Sequence, residues 1–166
     1  MPTPEHTSER ATSVACAVVT VSDTRTKETD ASGKLIIERL ESAGHRIVRY
    51  EILPDDPAQI HAHVESLCGS ACRVVLITGG TGLAPRDTTF EAIGSLLEKR
   101  LDGFGELFRM LSFEEIGPAA MLSRAVAGVR GKTAIFSMPG STGAVRLAMD
   151  RLILPVLGHV VSLLTS

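Results

Sequence analysis

Apolar residues collect in a few nearly unbroken runs. "VACAVVTV" (14–21) and "RVVLIT" (73–78) contain almost nothing polar, which predicts central strands buried on both faces. Elsewhere the pattern changes period. In "SGKLIIERLESAG" (32–44), Ile36, Leu40 and Ala43 fall on one helical face, and Gly44 supplies a stop. "RIVRYEIL" (46–53) alternates, with Val48, Tyr50 and Ile52 on one side and Arg49 and Glu51 on the other. That predicts an edge strand with one wet face. "DPAQIHAHVESLCGSA" (56–71) reads as a helix with Pro57 in its first turn. "TTFEAIGSLLEKR" (88–100) reads as a helix with Phe90, Ile93 and Leu97 inward. Residues 102–120 are mixed and helical in part. "LSRAVAGVRGKTAIFSMPGS" (122–141) predicts a short strand, a turn at Arg130-Gly131 and a third central strand. The stretch 142–164 is helical, and Pro155 bends or restarts it.

Strands alternating with helices predict a three-layer, doubly wound α/β fold: a mostly parallel central sheet with helices on both faces. Neither a linker nor a repeat interrupts the pattern, so residues 13–166 read as one domain. The polar segment 1–12 is expected to be flexible or to pack on a partner subunit. In such sheets ligands gather beyond the carboxyl ends of the strands, where the strand order reverses.

Composition narrows the chemistry. Apolar residues make up 44% and charged residues 22%, the balance of a soluble globular domain. The formal charge of −2 gives no field for nucleic acid, so an anionic ligand needs local donors. Three cysteines in 166 residues suggest neither a disulfide framework nor a metal site. "MPTPEHTSERATS" is not an apolar leader, and no run reaches membrane-spanning length; a cytoplasmic location is expected.

"VVLITGGTGLAPRDTTF" (74–90) is the most informative stretch. Gly79, Gly80 and Gly82 lack Cβ atoms, so the backbone can adopt positive φ and approach a ligand. Successive amides in such a turn can bind an anion, and a phosphate is the natural guest. A plain tight turn is the alternative, though it needs fewer glycines. The nucleoside-triphosphatase loop is excluded, because Leu83-Ala84 stand where Lys and Ser/Thr belong. The dinucleotide fingerprint is excluded as well, since it follows a first strand and needs a third Gly or Ala.

Asp87 then poses a problem, because a carboxylate beside an anion site needs a cation or proton between them. Thr88 through Glu91 offers its own capping box, which would leave Asp87 spare. In "LPDDPAQ" (53–59), Asp56 and Gln59 form a second box, leaving Asp55 spare. Two spare acids at one sheet edge, beside phosphates, could hold Mg²⁺ for phosphoryl or nucleotidyl transfer. "MPGSTGAV" (138–145) adds a further strand-to-helix turn, capped by Ser141 or Thr142, that could hold a second phosphate or be an ordinary turn. Ser22 and Asp23 in "VSDTRT" could contact ligand or serve local turn bonds.

Five stretches together resemble the molybdopterin adenylyltransferase family of molybdenum-cofactor biosynthesis, in its bacterial MoaB/MogA form and closer to MoaB. They are "VVTVSDTRTKETDASG", "LPDD", "VLITGGTGLAPRDTTFEAI", "GFGELFRMLSFEEIGPAAMLSRAVAG" and "FSMPGSTGAVRLAMDRLILP". The resemblance implies a three-layer α/β subunit in a trimer or dimer of trimers. It implies a reaction in which the terminal phosphate of molybdopterin attacks the α-phosphorus of ATP, with Mg²⁺ assisting and pyrophosphate leaving. Asp55 and Asp87 match family positions tied to catalysis and the metal. Gly79, Gly80, Thr81 and Gly82 match the nucleotide-phosphate loop. Ser22, Ser123, Pro139, Gly140 and Ser141 match segments lining the pterin and nucleotide pocket. Transient contact with the molybdenum-inserting enzyme is also implied. A non-catalytic pterin-binding or scaffold module and a nucleotide hydrolase remain the alternatives.

Overall fold

The structure, a computed structural model, describes residues 13–166; the expectation for residues 1–12 lies outside the described residues. Six strands form one sheet in the order β2-β1-β3-β6-β5-β4. They are β1 (Ala15–Val21), β2 (Arg46–Leu53), β3 (Val74–Thr78), β4 (Lys99–Arg100), β5 (Val126–Arg130) and β6 (Thr133–Met138). The first four in spatial order run parallel; β5 pairs antiparallel with β6, and β4 closes the edge antiparallel to β5. The polypeptide passes from β1 to β2 on one side and returns to β3 on the other, so the order reverses between β1 and β3.

Helices cover both faces. Cys16, Val18, Val74, Leu76 and Phe136 pack under α1 (Ala31–Ser42), α4 (Asp102–Ile116), α5 (Thr142–Leu147) and α6 (Leu157–Thr165). Phe104 of α4 meets Phe136 edge-on, centroids 5.4 Å apart. Ala17, Val19, Val75, Ile77 and Ile135 face α2 (Pro57–Cys68) and α3 (Thr89–Gly94). Each Ile or Leu fully withdrawn from water contributes about 1.5–3 kcal/mol, which is why β1, β3 and β6 tolerate so few polar positions.

Several predicted elements shift. In β2, Cys16 pairs with Ile47 and Ala17 with Arg49, so Val48 is an extra, unpaired residue. This bulge changes the phase: Ile47 and Tyr50 pack on the core, whereas Val48 is 47% exposed. The α2 helix stops at Cys68 with Gly69 as its cap, which leaves Ser70 and Ala71 outside the helix. The helix expected over 88–100 is only α3, because Lys99 and Arg100 pair with Val129 and Gly128. Residues 102–116 are continuously helical, and a 3-10 turn (Gly117–Leu122) follows. The last stretch breaks as expected. A π-type turn (Ala148–Ile153) precedes Pro155, and the flanking helices are bent by 58°. Among the described residues, no single helix is long and apolar enough to cross a membrane.

Candidate functional site

Where β1, β3 and β6 end side by side, the backbone forms a small cup. It encloses about 110 Å³ between Thr20, Ser22 and Arg25 after β1, Ser32 of α1, Thr78-Gly79 after β3, and Gly140 after β6. That volume is well below a pocket for a whole small molecule, so the cup can take only an end group such as a phosphate. Gly79 (φ +104°) and Gly80 (φ +71°) both occupy the left-handed region. A methyl on Gly79 would strike the Val21 carbonyl, and one on Gly80 the Thr89 hydroxyl. The glycines therefore serve a close backbone crossing as well as a turn.

Hydrogen bonds brace the walls. The Thr78 hydroxyl donates to the Pro139 carbonyl (2.9 Å), and the Ser32 hydroxyl to the Gly140 carbonyl (2.6 Å). Gly79 N–H donates to Met138 C=O (3.0 Å). Beneath lies Asp30, wholly buried, which caps α1 through the Gly33 amide (2.9 Å). It also accepts from the hydroxyls of Thr20 (2.6 Å) and Tyr50 (2.5 Å). Burial and the Asp30 carboxylate push the Tyr50 phenol well above its ordinary value. Arg25 stands 3.8 Å from Asp30 with its side chain 38% exposed, a cation at the mouth of the cup.

The acids lie along the same edge. Asp56 caps α2, accepting from Ala58 N–H (3.0 Å) and from the Gln59 amide (2.9 Å), so Asp55 is spared that duty as expected. Asp55 is instead tied by its amide to Asp23 (2.9 Å). Partial burial raises the Asp55 carboxyl above the usual aspartate value. The Asp23 charge adds to this, then a hydrogen bond with Asp23, then the Asp87 charge; Arg86 opposes them. Asp55 thus lies within electrostatic reach of both Asp23 and Asp87. Among the described residues, no group of three or more His, Cys, Asp or Glu is closed into a metal cage.

The second expected capping box does not form. Thr88 makes no side-chain cap, and Glu91 pairs with Arg124 instead. Asp87 is therefore not spare in full: one oxygen accepts from Ala84 N–H (3.1 Å). Among the described residues its other oxygen accepts no hydrogen bond.

The remaining predicted residues divide. Ser22, Gly79 and Gly140 line the cup, although the Ser22 hydroxyl also accepts from the amides of Thr24 and Arg25. Gly80, Thr81 and Gly82 form the adjoining loop, and Pro139 contributes its carbonyl to Thr78. Ser141 caps α5 through Ala144 N–H (3.2 Å). Ser123 does not reach the cup. It lines a separate cavity of about 290 Å³ with Arg109 and Arg124. Sequence reasoning missed Arg25, Ser32 and Asp30, whose roles rest on partners brought together only by the fold.

A family described as "Probable molybdopterin binding domain" matches residues 17–159, which include every element of the cup. The chain belongs to that molybdopterin-binding family. "Molybdenum cofactor biosynthesis protein B" of Bacillus subtilis is 56% identical over 159 residues, covering 95% of this chain and 94% of that protein. The protein so named from Halalkalibacterium halodurans is 54% identical over 158 residues, covering 94% and 93%. A crystal structure titled "Molybdenum cofactor biosynthesis protein B" superposes with a TM-score of 0.90 at 54% identity, covering 92% of this chain and 96% of that one. The tungsten cofactor synthesizing protein MoaB from Pyrococcus furiosus gives 0.84 at 38%, covering 94% and 99%. The expected membership of the molybdenum-cofactor family, closer to MoaB, and the mostly parallel α/β fold are thereby borne out.

Proposed function

We propose that the protein adenylylates molybdopterin. An oxygen of the terminal molybdopterin phosphate bonds to the α-phosphorus of ATP. The bond from that phosphorus to the β-phosphate oxygen breaks, and pyrophosphate leaves with the electron pair. The reading rests on one arrangement: a phosphate-sized cup with Asp55 and Asp87 along the same sheet edge. Arg25 and the Ser22 hydroxyl supply donors to an anion there, while the Ser32 hydroxyl is held by the Gly140 carbonyl.

Asp55 and Asp87 would hold Mg²⁺, which takes one or two carboxylates and completes its shell with water and phosphate oxygens. Partial burial, with the Asp23 and Asp87 charges beside it, raises Asp55, and a bound cation would offset that cost. When bound, Mg²⁺ supplies neutralisation of charge on the phosphates. The chain's own part is to fix both phosphates against the glycine loop, so that attack and departure lie in line.

The exposed apolar residues Leu107, Met110, Phe113 and Ile116 of α4, with Met121 and Leu122 beyond it, support a contact with another copy of the chain; a trimer or dimer of trimers is the assembly that the family resemblance implies. Incubation with molybdopterin, ATP and Mg²⁺ tests the activity. Adenylated product and pyrophosphate in equal amounts are expected. Pyrophosphate or phosphate released without pterin would point to a hydrolase, and pterin binding without pyrophosphate to a scaffold.

A further inference from the structure

We infer that Arg124 is the positioning residue of the Asp87 loop, holding the loop's carbonyls so that the Asp87 carboxylate stays fixed at the sheet edge. The inference rests on the adenylyl-transfer reading above. Arg124 lies between the 3-10 turn and β5, 37 residues from Asp87 in sequence. Its amide donates to Thr81 C=O (2.9 Å) and its Nε to Gly82 C=O (3.0 Å). One terminal nitrogen donates to Asp87 C=O (2.7 Å), and the other meets the Glu91 carboxylate. The guanidinium also lies over the Phe90 ring, 5.3 Å from its centroid.

One residue thus anchors the loop on both sides of its tip. The loop's own bonds are Thr89 N–H to Gly80 C=O at its base and the two contacts between Ala84 and Asp87 at its tip, so among the described residues neither side of the tip is held to the rest of the fold without Arg124. Leu83, at 66% exposure, adds no packing. The brace continues inward. Arg109 of α4 donates to the carbonyls of Ser123 and Ala125 (3.3 Å each), the residues either side of Arg124. Only a planar fork with several donors reaches two carbonyls and a carboxylate together; a lysine ammonium cannot span them. The Arg124 bond holds Glu91 below the usual glutamate value, so the pair stays charged at neutral pH. This partnership is also what prevents the Thr88–Glu91 capping box.

Arg124→Ala and Arg124→Lys provide the test, each alone and with Asp87→Asn. With molybdopterin, ATP and Mg²⁺, both single variants should lose about 10- to 100-fold in kcat, while KM for ATP stays within about threefold. Amide exchange should quicken about tenfold or more over residues 81–88 and stay unchanged in β1, β3 and β6. In the Asp87→Asn background, Arg124→Ala should cost nothing further in rate, because Arg124 acts through Asp87. Unchanged loop exchange in a folded variant overturns the assignment. So does a loss that multiplies in full with that of Asp87→Asn. Arg124→Lys keeps the charge and stem, so it reports even if the alanine variant misfolds. A wild-type protein without transferase activity would overturn the proposed function, and loop exchange would still decide the role of Arg124.

Discussion

Tyr50→Phe isolates the buried network beneath the cup. The substitution keeps the ring and removes one hydroxyl, which donates to Asp30 at 2.5 Å. Asp30 keeps its bonds from Thr20 and Gly33, so the carboxylate is not orphaned. A hydrogen bond to a charged group contributes about 1.5–3 kcal/mol, and the partial exposure of Tyr50 puts this one near 1.5. Unfolding entropy of about 2.1 cal/mol/K per residue gives about 0.3 kcal/mol per degree for this chain, so Tm should fall by about 5 °C. The sign with pH follows from the raised phenol. Its contribution is complete below the ordinary tyrosine value of about 10 and is lost as pH rises through the higher native value. The Tm gap between wild type and Tyr50→Phe should therefore hold at neutral pH and close in alkali. Calorimetry reads the gap, and phenolate absorbance reads Tyr50 alone, since the chain has one tyrosine and no tryptophan. An unchanged Tm at neutral pH, or a phenol titrating at its ordinary value, would refute the network.

Other outcomes follow from the same geometry. Gly79→Ala puts a methyl against the Val21 carbonyl at positive φ, so it should destabilise by about 1–3 kcal/mol and abolish anion binding, read by calorimetry and by phosphate titration. Asp55→Asn should stabilise the metal-free protein at neutral pH. A carboxyl raised in the folded state lowers stability as pH climbs from the ordinary aspartate value through the native one, so the gain should vanish below that window. Added Mg²⁺ should raise the wild-type Tm more than that of the variant.

The buried strands β1, β3 and β6 were legible because two-sided burial leaves an unbroken apolar run. The strand-end position of the glycine loop followed from them. Asp56 was legible as a cap because its partners are two and three residues away. What escaped depends on distant partners. Val48 looked inward because alternation cannot register a bulge set by pairing with β1. Lys99-Arg100 continued a helical pattern but joins β5 through bonds from Glu98 N–H to Val129 C=O and Leu101 N–H to Ala127 C=O (both 2.8 Å). Glu91 was assigned to Thr88 because Arg124 stands 33 residues further on. Asp30 was hidden because its value lies in contacts with Thr20 and Tyr50, and Arg25 because its own depends on the buried Asp30.

The proposed chemistry places Asp87, beside Asp55 at the glycine cup, in adenylyl transfer. Single-turnover formation of adenylyl-molybdopterin by wild type and Asp87→Asn, at saturating ATP and Mg²⁺, tests it directly. Transfer by Asp87→Asn should fall at least about a hundredfold with the fold intact by thermal melt. A folded variant that transfers at the wild-type rate would contradict it.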